Sequence, residues 1–394
     1  MSRVFILMMD SFGIGGADDA KDFGDEGSDT FGHIVDNYPE LKIPNLVKLG
    51  LLRASNKVTG LNRELSDIGA KITVSAKYGN CKEVSLAKDT SSGHWELAGV
   101  SVKSPGGYFK PDFPSFPQEL VDRICARAGL EGILGNKAAS GTEIIEELGE
   151  EHIRTGKPIC YTSADSCFQI AASEKYFGLN RLYDLCEIAF EEVKPYNIGR
   201  IIARPFEGEK KGEFVRTKNR HDYSVKPPKK TLLDVVKDSG KDVVAIGKIS
   251  DIYAGCGVSK KVLASGLEEL WDRTLSEGKI APDNSLIFTN FVDFDMLYGH
   301  RRNLQGYAKA LEYFDGRLPE IVNVMREDDV AFIVADHGND PTAKGTDHTR
   351  EQIPVLMFGK KVKPEYVGER ETFADVGQTV AEILGLKLDE GKSF

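Results

Sequence analysis

The chain has 394 residues, of which 41% are hydrophobic and 28% charged, a composition that excludes a disordered or fibrous protein. Its formal net charge of −10 argues against binding to nucleic acid or to acidic membrane surfaces. The six cysteines form no Cys-x-x-Cys motif, so neither a zinc ribbon nor a disulfide framework is expected, and a reducing cytoplasm fits best. At about 150 residues per domain, this length predicts two or three domains, or one large core with an insertion.

Continuous apolar runs, each followed by Gly, Asp or Asn, predict strands that are covered on both faces of a parallel sheet. In chain order these runs are residues 4–9, 243–246, 286–291 and 331–335. Helical spacing of apolar residues alternates with them. The predicted helices are 259–276, 306–325 and 373–384. This alternation predicts an α/β fold, a layered core with a central, mostly parallel sheet. The first run is too short for a signal peptide or a membrane helix.

Two breaker-rich segments, 104–107 (SPGG) and 226–230 (KPPKK), predict the domain boundaries. They define a core of residues 1–104 and 226–394 and an inserted, smaller α+β domain of residues 105–225. Inside the insertion we predict three helices and three strands. The helices are 118–128, 143–154 and 179–192, and the strands are 159–162, 168–172 and 200–205. One continuous domain with two proline-rich loops is the alternative.

The charge distribution differs along the chain. Residues 200–230 contain ten Lys or Arg and four acidic residues, a net charge of +6 in an acidic protein. Such a stretch is either a solvated face, the usual explanation, or a surface that binds anions.

Three of the seven histidines lie beside aspartates in the last hundred residues. The segments are 293–300 (DFDMLYGH), 336–340 (DHGND) and 346–349 (TDHT). Each lies at the end of a predicted strand or in the loop that follows, and Asp10 ends the first strand. Because parallel strands bring their carboxyl ends to one edge, these segments are expected to meet there. A single Asp-His pair is more often a capped loop. Together, their oxygen and nitrogen atoms predict a site for manganese, zinc or magnesium.

A second candidate segment is 88–99 (KDTSSGHWELAG), in which small hydroxyl residues precede a predicted helix. This places Thr90 at or near a helix N-terminus, where free amides and the helix dipole stabilise an anion. Ordinary N-capping by Thr or Ser is the alternative. A neighbouring metal site favours a nucleophile, because metal ions supply the activation that a neutral hydroxyl lacks.

These segments resemble the alkaline phosphatase superfamily over essentially the whole chain. The matching segments include the strand ending in Asp10, 89–96 (DTSSGHWE), 295–300, 336–339 (DHGN) and 347–348. The others are 163–166 (SADS), 199–206 (GRIIARPF), 219–223 (NRHDY) and 247–252 (GKISDI). The resemblance implies an alkaline-phosphatase-like core with a cap domain.

The resemblance also implies two manganese ions in one site, although zinc or magnesium suits the same ligands. One ion would be bound by Asp295, His300 and His348. The other would be bound by Asp10, Asp336, His337 and the Thr90 oxygen. Asp293 is an alternative to Asp295. We favour Asp295, because its spacing of five residues to His300 fits the family segment. Asp293 would then support a metal ligand.

The activity implied by the resemblance is the interconversion of ribose 1-phosphate and ribose 5-phosphate, and of the 2-deoxy sugars. It would proceed through a phosphorylated Thr90, the catalytic residue, and a sugar bisphosphate, with the cap excluding water. The residues implied near the distal phosphate and ribose are Asp165, Arg200, Ile202 and Arg216 of the cap and Lys248 of the core. Arg204 and Arg220 are near enough in sequence to replace them.

Two other classes of function remain open. One is a different enzyme of the superfamily, such as a phosphoglycerate mutase or a phosphatase, and the other is a metal-dependent binding protein without catalysis. Among the remaining histidines, we expect His33, His152 and His221 to be structural or on the surface. His94 either reaches the site or packs within its helix. The sequence does not decide the oligomeric state.

Overall fold

A computed structural model of the chain describes residues 2–65, 72–104, 107, 109–110, 113–162, 167–196 and 198–394. The chain forms two compact units. One consists of Met1–Ser104 and Lys226–Phe394, and the other of Pro105–Val225. No helix in these described ranges is both long and apolar enough to span a membrane.

The strands and helices alternate along most of the chain. The strands are β1 (Val4–Met9), β2 (Lys77–Cys81), β3 (Leu134–Ala138), β4 (Ile159–Thr162), β5 (Phe168–Ser173), β6 (Arg200–Glu207), β7 (Val215–Arg216), β8 (His221–Ser224), β9 (Val243–Ile246), β10 (Lys260–Val262), β11 (Leu286–Phe291), β12 (Val330–Val334), β13 (Ile353–Phe358) and β14 (Glu365–Arg370). The helices are α1 (Thr30–Asn37), α2 (Pro44–Lys48), α3 (Leu51–Thr59), α4 (Thr90–Leu97), α5 (Gln118–Ala128), α6 (Gly141–Thr155), α7 (Leu179–Glu192), α8 (Leu232–Asp238), α9 (Ile249–Ile252), α10 (Leu267–Ile280), α11 (Leu304–Val324) and α12 (Ala374–Ile383).

The sheet of the first unit has the strand order β10-β9-β11-β1-β12-β13-β2-β14. From β10 to β12 all neighbours are parallel, and β1 pairs with both β11 and β12. Every residue of β1, β11 and β12 is buried, which explains their continuous apolar runs. The predicted α/β core with a central, mostly parallel sheet is therefore confirmed. Strand β13 runs antiparallel to β12 and β2, so its first residues lie at the edge where β12 ends.

The predicted helix 259–276 was wrong at both ends, because the helix of the structure is Leu267–Ile280. Residues Lys260–Val262 instead form the edge strand β10, which pairs with Val244–Ile246 of β9. The helix begins only at Leu267, after Gly266 with φ +86°, a conformation that ends the extended segment. Helices α5 and α7 occupy the predicted residues, and α6, α11 and α12 differ from the predictions by one or two residues at either end.

The second unit is built on a sheet of order β3-β4-β5-β6-β7, with β8 also paired to β6. One hydrophobic cluster, which includes Phe116, Phe168 and Leu182, packs α5 and α7 against this sheet. A second cluster, which includes Ile144, Ile159 and Phe206, packs α6 there. Helices packed on a sheet of parallel and antiparallel strand pairs give this unit an α+β structure.

Candidate metal centre

The candidate ligands of the first unit meet at one edge of its sheet. Asp10 follows β1 directly, Asp336 lies just beyond β12, and Asp295 lies just beyond β11. His348 precedes β13, and because β13 is antiparallel its amino end reaches the same edge. Residues far apart in the sequence therefore converge through the sheet topology.

The first cluster contains Asp10, Asp336 and His337, all buried, with ligand atoms within 4.8 Å of one another. Nε2 of His337 lies 3.3 Å from Oδ2 of Asp336 and 3.6 Å from Oδ1 of Asp10. The same nitrogen is 3.2 Å from Oγ1 of Thr90. The structure thus brings together the four residues that the resemblance assigns to one ion.

The second cluster contains Asp295 and His348 with His337, again within 4.8 Å. His300 joins it, because its Nε2 lies 3.1 Å from Oδ2 of Asp295 and 3.2 Å from Nε2 of His348. Asp295 belongs to a π-helical turn, Phe294–Gly299, and His300 follows it as the C-cap, with its amide donating to the carbonyl of Asp295. One such turn spans five residues, so it brings these two side chains together.

His337 connects the two clusters. Its ring stacks on that of His348, with centroids 3.9 Å apart, and His337 belongs to both groups. The seven predicted ligands therefore form one continuous group of oxygen and nitrogen atoms.

The imidazoles are oriented as metal ligands require. Nδ1 of each of the three histidines faces a backbone carbonyl. For His300 this is the carbonyl of Thr346, for His337 that of Gly338, and for His348 that of Lys88. A carbonyl only accepts hydrogen bonds, so Nδ1 carries the proton and Nε2 is left to bind a metal ion. In addition, Oδ1 of Asp10 is buried without a hydrogen-bond partner among the described residues. These residues fit a divalent metal centre.

The carboxylates repel one another without added positive charge. Burial, together with the charges of Asp336 and Asp295, raises the pKa of Asp10 well above its usual value. Burial also opposes ionisation of Asp295, but the His348 and His300 imidazoles lower the pKa of Asp295 well below its usual value. A divalent metal ion would supply the positive charge that lets these carboxylates ionise together, so metal binding is expected to displace protons.

Metal affinity is expected to weaken as the pH falls. Burial lowers the pKa of His348, but the Asp295 carboxylate raises it, and the result is about 9. Below that pH, the metal-free protein carries a proton on His348 that the ion must displace. Affinity for Mn²⁺ should therefore fall at least about tenfold for each pH unit below 9. Calorimetric Mn²⁺ titrations at pH 7 and 8, in buffers of different ionisation enthalpy, measure both the affinity and the protons released. Equal affinity at the two pH values would contradict this expectation.

Three supporting residues were not predicted from the sequence. Asn290 donates through Nδ2 to Oδ2 of Asp10, and Asn339 donates to Oδ1 of Asp295. The amide of Ser11 donates to Oδ1 of Asp336, which is possible because Ser11 adopts a left-handed conformation with φ +68°. Asn290 is the second-last residue of a predicted strand run, and Asn339 lies in the predicted DHGN segment, so their positions were the available signal. The sequence contains no signal for the left-handed conformation of Ser11.

Thr90 is the first residue of α4. The residue that caps this helix is Asp89, whose carboxylate accepts from the amides of Ser91 and Ser92. Thr90 is therefore not needed as a cap, and its hydroxyl is directed to His337 instead. Position at a helix N-terminus favours negative charge on this oxygen.

Gly93 lets α4 approach the Asp336 loop closely. A Cβ at Gly93 would lie 1.9 Å from the carbonyl oxygen of Asp336. Gly93→Ala should therefore push Thr90 away from the cluster, destabilise the protein by about 1–3 kcal/mol and weaken Mn²⁺ binding. Urea unfolding and calorimetry measure both effects.

Gly316→Ala is the matched control, because Gly316 lies in α11 with nothing within 4 Å of the added Cβ. It should stabilise the protein by up to about 1 kcal/mol, since alanine favours a helix over glycine. A Gly93→Ala variant as stable as the wild type, with unchanged metal affinity, would show that the close approach at Gly93 does not matter.

The predicted substrate residues are placed as follows. Lys248 follows β9, at the edge where the metal cluster lies, and is exposed. Arg200 begins β6, with Nη1 3.8 Å from Oδ2 of Asp222, and Arg216 ends β7. Ile202 is buried within β6. Asp165 lies outside the described residues.

The alternatives to these residues have partners of their own. Nε of Arg204 donates to Gln169, and Arg220 pairs with Asp222. The carboxylate of Asp293 accepts from the amide of Leu267, at the start of α10, whereas Asp295 lies in the cluster.

The other histidines have distinct surroundings. His33 contacts Asp340, and His221 is exposed. His152 is buried, where its Nδ1 faces the carbonyl of Lys157 and its Nε2 accepts from the amide of Ser173. These contacts agree with the expected structural or surface roles. His94 is buried beside Asp336, with Nδ1 2.9 Å from Oδ2 of that carboxylate.

A layered α/β core with carboxylates and imidazoles gathered at one sheet edge defines a metal-dependent enzyme of the α/β class. A sequence model of the Metalloenzyme superfamily matches residues 2–388. Three curated relatives, all named phosphopentomutase, align with the full length of the chain and of each relative. They come from Elusimicrobium minutum (63% identical), Aeromonas salmonicida (57%) and Shewanella baltica (56%).

The chain therefore belongs to the Metalloenzyme superfamily and, within it, to the phosphopentomutase family. This membership confirms the resemblance to the alkaline phosphatase superfamily. It also confirms the predicted α/β fold class. The protein is an enzyme of the isomerase class, and membership of the superfamily implies divalent metal ions.

Proposed function

We propose that the protein interconverts ribose 1-phosphate and ribose 5-phosphate, and their 2-deoxy forms, through a phosphorylated Thr90. The observation that carries this proposal is the position of the Thr90 hydroxyl, at the start of α4 and 3.2 Å from Nε2 of His337 in the carboxylate–imidazole cluster. Relatives that are 55–63% identical carry the corresponding name.

We propose that the cluster holds two Mn²⁺ ions, with Zn²⁺ or Mg²⁺ able to replace them. The seven ligands would be Asp10, Thr90, Asp295, His300, Asp336, His337 and His348. Two divalent ions would exceed the three carboxylate charges by one and would polarise the Thr90 hydroxyl and the phosphoryl group. At about 4 Å and an effective dielectric constant of about 20, each unit-charge contact contributes roughly 4 kcal/mol, enough to bind an anion in this acidic protein.

Thr90 acts as carrier of the phosphoryl group. In the proposed cycle, the free 5-hydroxyl of ribose 1-phosphate attacks phospho-Thr90, so the Thr90 O–P bond breaks, a sugar O–P bond forms and the hydroxyl proton leaves. The bisphosphate then turns around, and Thr90 Oγ1 attacks the phosphate at carbon 1. This step breaks the bond between phosphorus and the carbon-1 oxygen, and that oxygen takes up a proton. Ribose 5-phosphate is thereby released and phospho-Thr90 is regenerated. The dipole of α4 stabilises the negative charge on Thr90 Oγ1 between the two transfers.

We propose that Asp165, Arg200, Ile202, Arg216 and Lys248 bind the ribose and the distal phosphate. For Arg216, the supporting observation is a buried Nε without a hydrogen-bond partner among the described residues. Arginine binds phosphate through two parallel donors, and lysine acts as a point charge. That residues 105–225 form a cap that excludes water is likewise a proposal.

The cellular setting is inferred from charge and cysteine chemistry. All six cysteines are free thiols, which supports a cytoplasmic protein. The net charge of −10 argues against nucleic acid and acidic membrane surfaces as partners, and the name of the relatives supports small pentose phosphates.

Incubation of the Mn²⁺-loaded protein with ribose 1-phosphate tests the proposed activity. Phosphorus NMR should show conversion to ribose 5-phosphate without net inorganic phosphate, and chelation should abolish the conversion until Mn²⁺ is restored. Release of phosphate at the turnover rate would identify a phosphatase instead. Turnover of phosphoglycerate but not of pentose phosphates would identify another mutase, and metal binding without any turnover a binding protein.

A further inference from the structure

His94 is a buried imidazole one helical turn after Thr90, and its ring faces two groups of the active site. Its Nδ1 lies 2.8 Å from the backbone carbonyl of Thr90 and 2.9 Å from Oδ2 of Asp336. The carbonyl of Thr90 accepts a hydrogen bond, so Nδ1 carries the proton. Oδ2 of Asp336 makes no hydrogen bond among the described residues, and its contact with this N–H is a close electrostatic one. His94 therefore joins the backbone of the proposed nucleophile to the carboxylate of a proposed metal ligand.

The other side of the ring has a different environment. Nε2 of His94 is buried without a hydrogen-bond partner among the described residues. The ring lies near Phe288, with planes 21° apart, and near the edge of Tyr253. A proton on Nε2 would be left unpaired in these surroundings, which costs free energy and favours the Nδ1–H tautomer.

The backbone around His94 is fixed independently of its side chain. The hydroxyl of Tyr253 donates to the carbonyl of His94, and Gly93 packs against the Asp336 carbonyl. Asp336 is held on its other oxygen by the amide of Ser11. Oδ2 of Asp336 has no such hydrogen bond, and it lies closer to Nδ1 of His94, at 2.9 Å, than to Nε2 of His337, at 3.3 Å.

We propose that His94 is a positioning residue: its Nδ1–H sets the orientation of the Asp336 carboxylate relative to Thr90 and thereby the affinity and geometry of the metal site. This role rests on the proposed function. Residues that orient metal ligands typically change metal affinity by about 10–100-fold when they are replaced.

Two substitutions separate a positioning role from a packing role. His94→Asn places an amide donor at the position of Nδ1, and its two N–H groups can serve both oxygens. His94→Gln is closer to histidine in volume but places its donor at the position of Nε2, beside Phe288. A role in packing alone predicts that Gln is tolerated better than Asn, whereas a positioning role predicts the reverse order.

The readout is the Mn²⁺ dissociation constant of the metal-free variants, measured by calorimetry without substrate. We expect His94→Gln to weaken Mn²⁺ binding by about 10–100-fold and His94→Asn to remain within about threefold of the wild type. With pentose phosphate, His94→Gln should lower kcat and leave KM nearly unchanged, because His94 does not touch the sugar. Equal affinities in the two variants, or weaker binding by Asn than by Gln, would overturn the proposal.

A measurement on the wild type keeps the proposal testable if a variant does not fold. Nitrogen-15 NMR of labelled histidines should show the Nδ1–H tautomer for His94, and an Nε2–H tautomer would refute the proposed donor. If the wild type does not isomerise pentose phosphates but Asn and Gln still differ in Mn²⁺ affinity, the proposed function fails and the positioning role stands.

Discussion

Thr90→Val is expected to abolish isomerisation, with a fall in kcat of about 10⁴-fold or more. Valine keeps the shape of the side chain and removes the oxygen that would carry the phosphoryl group, so no other step can replace it. Steady-state conversion of ribose 1-phosphate measures this loss. Since Asp89 and not Thr90 caps α4, the variant should unfold at nearly the wild-type urea concentration.

Thr90→Ser is the matched control, because it keeps the hydroxyl and loses only a methyl group. It should retain activity within about 100-fold of the wild type, since a misplaced nucleophile still reacts. Mass spectrometry after incubation with ribose 1,5-bisphosphate should place one phosphate on residue 90 in the wild type and none there in Thr90→Val. Phosphate on Ser91 or Ser92 in the active enzyme would contradict the assignment.

His348→Ala is expected to remove one metal ion and to lower kcat by about 10³-fold or more. The side chain contributes Nε2 to the cluster with Asp295, and a site left with fewer ligands loses affinity as well as geometry. Elemental analysis after gel filtration measures the metal content per chain. Because His337 belongs to both clusters, His337→Ala should reduce the content further than His348→Ala does.

His221→Ala provides the control for metal content, because His221 is an exposed histidine of the other unit. Its metal content should equal that of the wild type. An unchanged content in His348→Ala as well would show that the ligand set is wrong.

The strand ends are predictable from the sequence, because buried parallel strands leave a continuous apolar run. For this reason the sequence alone places Asp10, Asp295 and Asp336 at one edge of the sheet. Strand β2, with the sequence KYGNC, has no such run, and its pairing with β13 depends on long-range contacts. Strand β10 is an edge strand of three residues that also has no continuous apolar run. Its sequence therefore resembles the start of a helix.

The inner details of the site are less predictable. His348 reaches the cluster because β13 is antiparallel, which places the amino end of this strand at the edge where the parallel strands end. The rule that parallel strands end at one edge does not predict that β13 runs in the opposite direction. The role of His94 depends on its distance to Asp336, which lies far away along the chain, and helical spacing cannot reveal that distance. The left-handed turn at Ser11 is stabilised by the surrounding structure and has no local signal.

A crossover experiment tests the central claim most directly. Ribose 1-phosphate labelled with carbon-13 in the sugar and oxygen-18 in the phosphate is mixed with a large excess of the unlabelled compound and with the Mn²⁺-loaded enzyme. Because each phosphoryl group would pass through Thr90 before reaching another sugar, the ribose 5-phosphate should carry the two labels on separate molecules. Product in which both labels stay together, or oxygen-18 recovered as free phosphate, would contradict a phosphothreonine mutase.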